Sequence, residues 1–142
     1  MRRILVVDDE PELLEIFRAH FEGRYEIDTA ASGAAAVERF IRQRPDVVFL
    51  DINMPGTNGV EILKLFRQTD DSIPVIMVTA NSETRVAEEC LKQGAFGYVP
   101  KPFNLMYMDH MAALASEQTF KRGPRGEAGR APEGPAGSAP KR

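Results

Sequence analysis

Five residues able to do acid, nucleophilic or ion-pair chemistry stand at the ends of short apolar runs. Asp8 and Asp9 follow Ile4-Leu5-Val6-Val7, Asp51 ends Asp46–Asp51, Thr79-Ala80 closes the run that starts at Ile73, and Lys101 follows Ala95–Val99 and Pro100. If those runs are parallel strands of one sheet, their carboxyl ends share an edge, and three carboxylates, one hydroxyl and one ammonium converge there. Three carboxylates side by side repel, and their pKa values rise unless a cation compensates. A hard divalent ion such as Mg²⁺ is the natural remedy, because it takes oxygen ligands and keeps waters that a phosphate oxygen can replace. Such a site suits phosphoryl transfer. One carboxylate attacks as nucleophile, the metal neutralises the entering charge, Lys101 pairs with one phosphate oxygen and Thr79 offers its hydroxyl to another.

The elements that must position these groups are legible as alternating patterns. Ile4–Asp8 reads as a strand, followed by a helix over Pro11–Glu22 with Leu13, Leu14, Phe17 and Phe21 on one face. Tyr25–Ala30 reads as a second strand. Ser32 can cap a helix running to about Gln43, with Val37, Phe40 and Ile41 turned inward, which Pro45 ends. Asp46–Asp51 is the third strand, Met54–Gly59 a loop, and Val60–Arg67 a helix burying Ile62, Leu63 and Phe66. Ile73–Ala80 is the fourth strand. Asn81 or Ser82 starts a helix to about Gln93, with Val86, Cys90 and Leu91 inward, and Gly94 stops it. Ala95–Val99 leads into a fifth strand, and a last helix runs from about Asn104 to Phe120. Continuous apolar strands alternating with helices predict an α/β fold, a doubly wound parallel sheet between two helix layers with right-handed crossovers.

Composition limits the remaining possibilities. The 142 residues suit one domain, with 43% hydrophobic and 27% charged side chains. No apolar run approaches membrane-spanning length, and the basic-apolar start is too short and too soon acidic for a signal peptide. A single cysteine, Cys90, fits a reduced, cytoplasmic setting. The net charge of −3 conceals a division: residues 1–120 carry about −7 and residues 121–142 about +4. The acidic body is a poor candidate for direct nucleic-acid binding. Residues 121–142 hold five Gly and four Pro with no large apolar side chain, so a domain over 1–120 and a disordered basic tail are expected.

Taken together, Asp8-Asp9, Asp51 within LDINMPGTNG, Thr79-Ala80 after IMV, Tyr98 and Lys101-Pro102 resemble the response-regulator receiver family of two-component signalling, over roughly residues 3–120. The resemblance implies a flavodoxin-like (βα)5 fold with strand order 2-1-3-4-5. It implies that Asp51 is phosphorylated by a sensor histidine kinase or a histidine phosphotransfer protein. Mg²⁺ would be held by Asp8, Asp9 (the more direct of the two), Asp51 and the backbone carbonyl of Asn53. Lys101, Thr79 and the backbone of Ala80 would bind the phosphoryl oxygens, and the Lys101–Pro102 peptide would be cis. Thr79 would be drawn toward the phosphoryl group and Tyr98 would turn inward, altering the surface of the fourth helix, fifth strand and fifth helix for a downstream partner or a dimer. Asn53 and Asn81, two positions beyond Asp51 and Thr79, would flank the attacking water. Neither is a strong base, which implies slow dephosphorylation.

Other readings compete. Asp8 and Asp9 could merely cap the first helix. Thr79, Lys101 and Tyr98 could be an ordinary strand threonine, a solvated lysine and a strand aromatic. Cys90 reads as a small core residue, Met106, Met108 and Met111 as core and surface filler, and His20 and His110 as structural or solvent-exposed. Asp51–Ile62 begins like a calcium loop, but Pro55 and Ile62 fall at ligand positions, and no phosphate-binding P-loop is present. Three functions follow: a stand-alone binding switch without an output enzyme, the receiver portion of a longer regulator, or an aspartyl-phosphate phosphatase. The last favours a second Asp two residues after the nucleophile, where this chain has Asn53. The tail reads more simply as solubilising than as a partner site.

Overall fold

A computed structural model of the chain describes residues 1–80 and 84–122. Five parallel strands, β1 (Arg3–Val7), β2 (Glu26–Ala30), β3 (Val47–Asp51), β6 (Val75–Thr79) and β7 (Gly97–Pro100), form one sheet in the order β2-β1-β3-β6-β7. Between β3 and the next helix, β4 (Asn53–Met54) and β5 (Thr57–Asn58) form a two-residue antiparallel ladder around Gly56, whose φ of 70° suits the absence of a side chain. Counting only the long strands, the order is 2-1-3-4-5, the flavodoxin-like arrangement that the family resemblance implies.

Alternation along the strands fills two cores. Ile4, Val6, Val47, Phe49, Ile76, Val78 and Val99 face α1 (Pro11–Phe21) and α5 (Leu105–Arg122), meeting Phe17, Phe21, Met108 and Ala112. Leu5, Val7, Val48, Leu50, Val75 and Met77 face α2 (Gly33–Arg42), α3 (Gly59–Thr69) and α4 (Thr84–Lys92), meeting Phe40, Leu63, Phe66 and Cys90. β1, β3 and β6 are buried on both faces, as their unbroken apolar sequences require. Phe40 and Phe66 stack at 4.3 Å and lock α2 against α3.

Two inward assignments are corrected. Ile41 and Leu91 are 55% and 40% exposed. On α2 the buried stripe runs Gly33, Ala36, Phe40, and on α4 it runs Ala87, Cys90. Ile41 and Leu91 each lie about 100° round the helix from the buried residue before them, so small alanines one turn earlier, not large aliphatics, complete the stripes. Ser32 caps α2 by accepting the Ala35 N–H at 3.2 Å, as expected. α5 continues two residues beyond the expected end, to Arg122. The expected start of α4 at Asn81 or Ser82, and the tail from residue 123, lie outside the described residues. No described helix is long and apolar enough to cross a membrane.

Candidate functional site

The parallel register delivers the five groups to one edge. Val7 pairs with Leu50, Asp51 with Val78, and Thr79 with Pro100, so β1, β3, β6 and β7 end level with one another. Just past those ends the chain is held by further backbone bonds: Asp8 N–H to Ala30 O (3.0 Å), Ile52 N–H to Val78 O (2.9 Å) and Lys101 N–H to Thr79 O (2.7 Å). The side chains at the edge are therefore placed by the sheet rather than by mobile loops.

Asp8, Asp9 and Asp51 each offer one carboxylate oxygen to a cluster in which these atoms lie within 4.8 Å of one another. Asp8 and Asp51 are 1% and 3% exposed. Both spend Oδ1 locally, in the same way: Asp8 Oδ1 accepts the Glu10 N–H at 2.9 Å and Asp51 Oδ1 accepts the Asn53 N–H at 3.1 Å. Both turn Oδ2 toward Lys101, whose Nζ stands 3.3 Å from Asp51 Oδ2 and 3.6 Å from Asp8 Oδ2. Lys101 leaves β7 across a cis peptide to Pro102.

The electrostatics follow from burial first and from the crowding of charges second. Burial, aided by the neighbouring Asp51 charge, pushes the Asp8 carboxyl up to about 6, against the opposing Glu10 N–H and Lys101. Burial also raises Asp51, opposed by the Asn53 N–H and the Lys101 ammonium. Burial alone would lower Lys101, but the charges of Asp51 and Asp8 outweigh it and hold the ammonium protonated. The site thus carries more negative charge than Lys101 can offset. An all-oxygen donor set with surplus negative charge fits a hard divalent cation.

Thr79 is buried at the end of β6, and its Oγ1 donates to Ala80 O at 3.0 Å. Ala80 is the last described residue on that strand's exit. Tyr98 is half-buried in β7, opposite Met77, and packs on the core that contains Met77 and Cys90. It also lines an open groove of about 730 Å³ between α4, β7 and α5, with Leu91, Tyr107 and Met111. Asn53 is exposed beside Asp51, and Asn81 lies outside the described residues.

Two participants escaped the sequence reading. Glu10 brings a fourth carboxylate to the site, its Oε1 3.5 Å from Lys101 Nζ. The signal was available, since Glu10 follows Asp8-Asp9 directly and precedes the proline that opens α1. Gly59 lets α3 begin against the back of the Asp51 strand exit. A Cβ there would lie 2.7 Å from Ile52 Cα and 3.0 Å from Asp51 O. His20, expected to be structural or solvent-exposed, joins α1 to α5 through Asp109 at 2.8 Å.

The response regulator receiver domain model matches residues 4–113. Regulatory protein AtoC of Escherichia coli (strain K12) is 41% identical over 106 residues, covering 74% of this chain and 23% of that protein. Response regulator MprA of Mycobacterium sp. (strain KMS) is 36% identical over 125 residues, covering 86% and 54%. The chain thus spans about half the length of such relatives, or less. Among solved structures, a response regulator receiver domain protein from Clostridium thermocellum superposes with a TM-score of 0.81 at 27% identity, covering 85% of this chain and 98% of that one. NtrX from Brucella abortus gives 0.80 at 26% identity, covering 85% and 28%. With the sheet order and acidic edge described above, these similarities establish that the chain belongs to the response regulator receiver domain family of two-component signalling.

Proposed function

We propose that Asp51 is the phosphoacceptor, taking a phosphoryl group from a sensor histidine kinase or a histidine phosphotransfer protein. The observation that carries this reading is the placement of Lys101 Nζ 3.3 Å from Asp51 Oδ2 beside three clustered carboxylates. Asp51 is the member of the cluster at the end of the central strand β3, and its Oδ2 is the oxygen not engaged by the backbone. An Asp51 oxygen attacks phosphorus, and the bond to the donor's leaving group breaks with its electron pair departing on that group. Lys101, the Thr79 hydroxyl and the Ala80 N–H receive the phosphoryl oxygens. Asp8, Asp9, Asp51 and the Asn53 carbonyl would hold Mg²⁺. When bound, Mg²⁺ supplies the positive charge that the carboxylates and the phosphoryl oxygens together require.

The switch lies in Thr79 and Tyr98. In the unmodified protein the Thr79 hydroxyl is occupied by Ala80 O. A phosphoryl group offers it a charged acceptor instead, and Tyr98 turns into the space that Thr79 leaves. The population then shifts toward the arrangement that binds the phosphoryl group better. The α4–β7–α5 face changes with it, and that face meets a downstream protein or a second copy. Exposed Leu91 and Tyr107 supply apolar contact there. Asn53 and Asn81 provide no base for the attacking water, so the phosphorylated form persists for minutes or longer and is read by others before it hydrolyses. The acidic body acts through protein partners in the cytoplasm rather than by contacting nucleic acid.

A phosphotransfer screen against candidate kinases tests this. Label should reach the wild-type chain, require Mg²⁺ and be lost in Asp51→Asn. Full labelling in the presence of a chelator would remove the metal from the account.

A further inference from the structure

We propose that Glu10 is an electrostatic gate on phosphoryl entry: an anion at the mouth of the site that engages Lys101 at rest and slows the approach of anionic donors. The proposal rests on Asp51 being the phosphoacceptor.

Lys101 Nζ is shared by three carboxylates at nearly equal distance: Asp51 at 3.3 Å, Glu10 at 3.5 Å and Asp8 at 3.6 Å. They are not equivalent. The Asp51 and Asp8 side chains are 4% and 2% exposed and anchored by backbone N–H groups, whereas the Glu10 side chain is 55% exposed. Glu10 occupies the N-cap position of α1, yet makes no side-chain cap hydrogen bond. Its carboxylate is therefore not committed to its own helix and reaches across to β7's exit instead.

An ammonium has three donors. For Lys101 to pair with a phosphoryl oxygen while keeping its buried partners, the solvent-side contact is the one released. Removing the Glu10 charge does two things in the same direction. It frees Lys101, and it removes a negative charge from the path of the incoming group, where clefts lined by one sign of charge govern approach. The transfer itself is unchanged: an Asp51 Oδ–P bond forms as the P–O bond of acetyl phosphate, or the P–N bond of phosphoramidate, breaks. Acetate leaves with its electron pair, and ammonia leaves after nitrogen has been protonated.

The test compares wild type, Glu10→Gln and Glu10→Lys at saturating Mg²⁺, with acetyl phosphate and with the less negative phosphoramidate as donors. Rates of phosphoryl uptake should rise in the order Glu, Gln, Lys. At low salt the first step should gain about three- to tenfold with acetyl phosphate and less with phosphoramidate. The gain should shrink as ionic strength rises, because exposed charges are screened over a Debye length of about 10 Å at 0.1 M salt. A purely structural effect of residue 10 would not follow charge in both protein variant and donor. Rates equal to wild type, slower than wild type, or raised equally for both donors would overturn the gate. Calorimetric titration with Mg²⁺ provides an independent readout. Glu10→Gln should weaken binding by about threefold or less, and a loss of tenfold or more would make Glu10 a metal ligand instead. If wild type takes no label at Asp51 from either donor, the phosphoacceptor assignment fails and the gate with it. If wild type labels at Asp51 and the variants do not differ, the gate alone fails.

Discussion

Lys101 Nζ and Asp51 Oδ2 lie 3.3 Å apart although fifty residues separate them in the chain. The parallel register of β3, β6 and β7 creates that contact, and it makes Lys101 the partner of two buried carboxylates at once. Lys101→Met should therefore act on stability as well as signalling. It leaves Asp51 and Asp8 without their ammonium and should cost about 1–2 kcal/mol at neutral pH, read from urea midpoints in the absence of divalent ions. Phosphoryl uptake should fall sharply. A variant with wild-type stability and wild-type uptake would show that the ion pair is incidental.

Asp8 predicts the pH dependence of the metal-free protein. Its carboxyl is raised from an ordinary 3.8 to about 6. Between those values the folded state binds a proton that the unfolded chain does not. The associated stability is full below about 3.8, declines as pH rises and is gone above about 6, a change of at most ~3 kcal/mol. The raised Asp51 carboxyl acts in the same direction. The urea midpoint in chelator should thus fall from pH 5 to pH 7, and Asp8→Asn should flatten the slope. A midpoint that rises across this window in the wild-type protein would contradict the burial argument.

The same acids predict how metal and pH interact. Cation binding requires the carboxylates deprotonated, so Mg²⁺ should raise the melting temperature more at pH 7.5 than at pH 5.5. Asp9→Asn and Asp51→Asn should each reduce that shift, while Asp51→Asn should stabilise the metal-free protein by about 1 kcal/mol, chiefly because a buried charge is removed and secondarily because its repulsion with Asp9 is relieved. Equal Mg²⁺ shifts at both pH values would place the ion elsewhere.

Gly59 tests how tightly the exit of the Asp51 strand is packed. Gly59→Ala drives a methyl group to 2.7 Å from Ile52 Cα and 2.8 Å from Ile52 O, both backbone atoms that cannot swing aside. A loss of about 2 kcal/mol or more is expected, with slower phosphoryl uptake because Asp51 is the neighbouring residue. Denaturant unfolding and uptake rates measure both. An alanine accepted without loss of stability would show that α3 can withdraw.

Thr79→Ala separates accepting a phosphoryl group from transmitting it. The variant should still label on Asp51, while the phosphorylation-dependent change in partner affinity largely disappears. A normal affinity response in Thr79→Ala would remove Thr79 as the relay.

The sheet and its edge were legible because unbroken apolar runs such as Val47–Leu50 have few alternatives, and because a parallel sheet forces the residues after them to one side. Strand limits shifted by one or two residues where backbone pairing stops before the pattern does, as at Ile73 and Pro74 ahead of β6. Ile41 and Leu91 are misplaced because apolar type does not say which of two adjacent helix positions faces inward; the stacking of Phe40 on Phe66 and the burial of Cys90 in the same core decide it. Glu10 was passed over for a different reason. An acid before a helix-opening proline is ordinary, and its reach to Lys101 depends on where β7 ends, ninety residues later in the chain. Gly59 carried no signal beyond its place in a turn-rich loop, since its role comes from a close backbone approach.

The proposed switch depends on Asp51 storing the phosphoryl group. Intact-mass spectrometry after treatment with a small phosphodonor and Mg²⁺, followed by peptide mapping, tests it most directly. The wild-type chain should gain one phosphoryl group, located on Asp51, and Asp51→Asn should gain none. Stoichiometric uptake by Asp51→Asn, or a wild-type label mapped to another residue, would contradict the account.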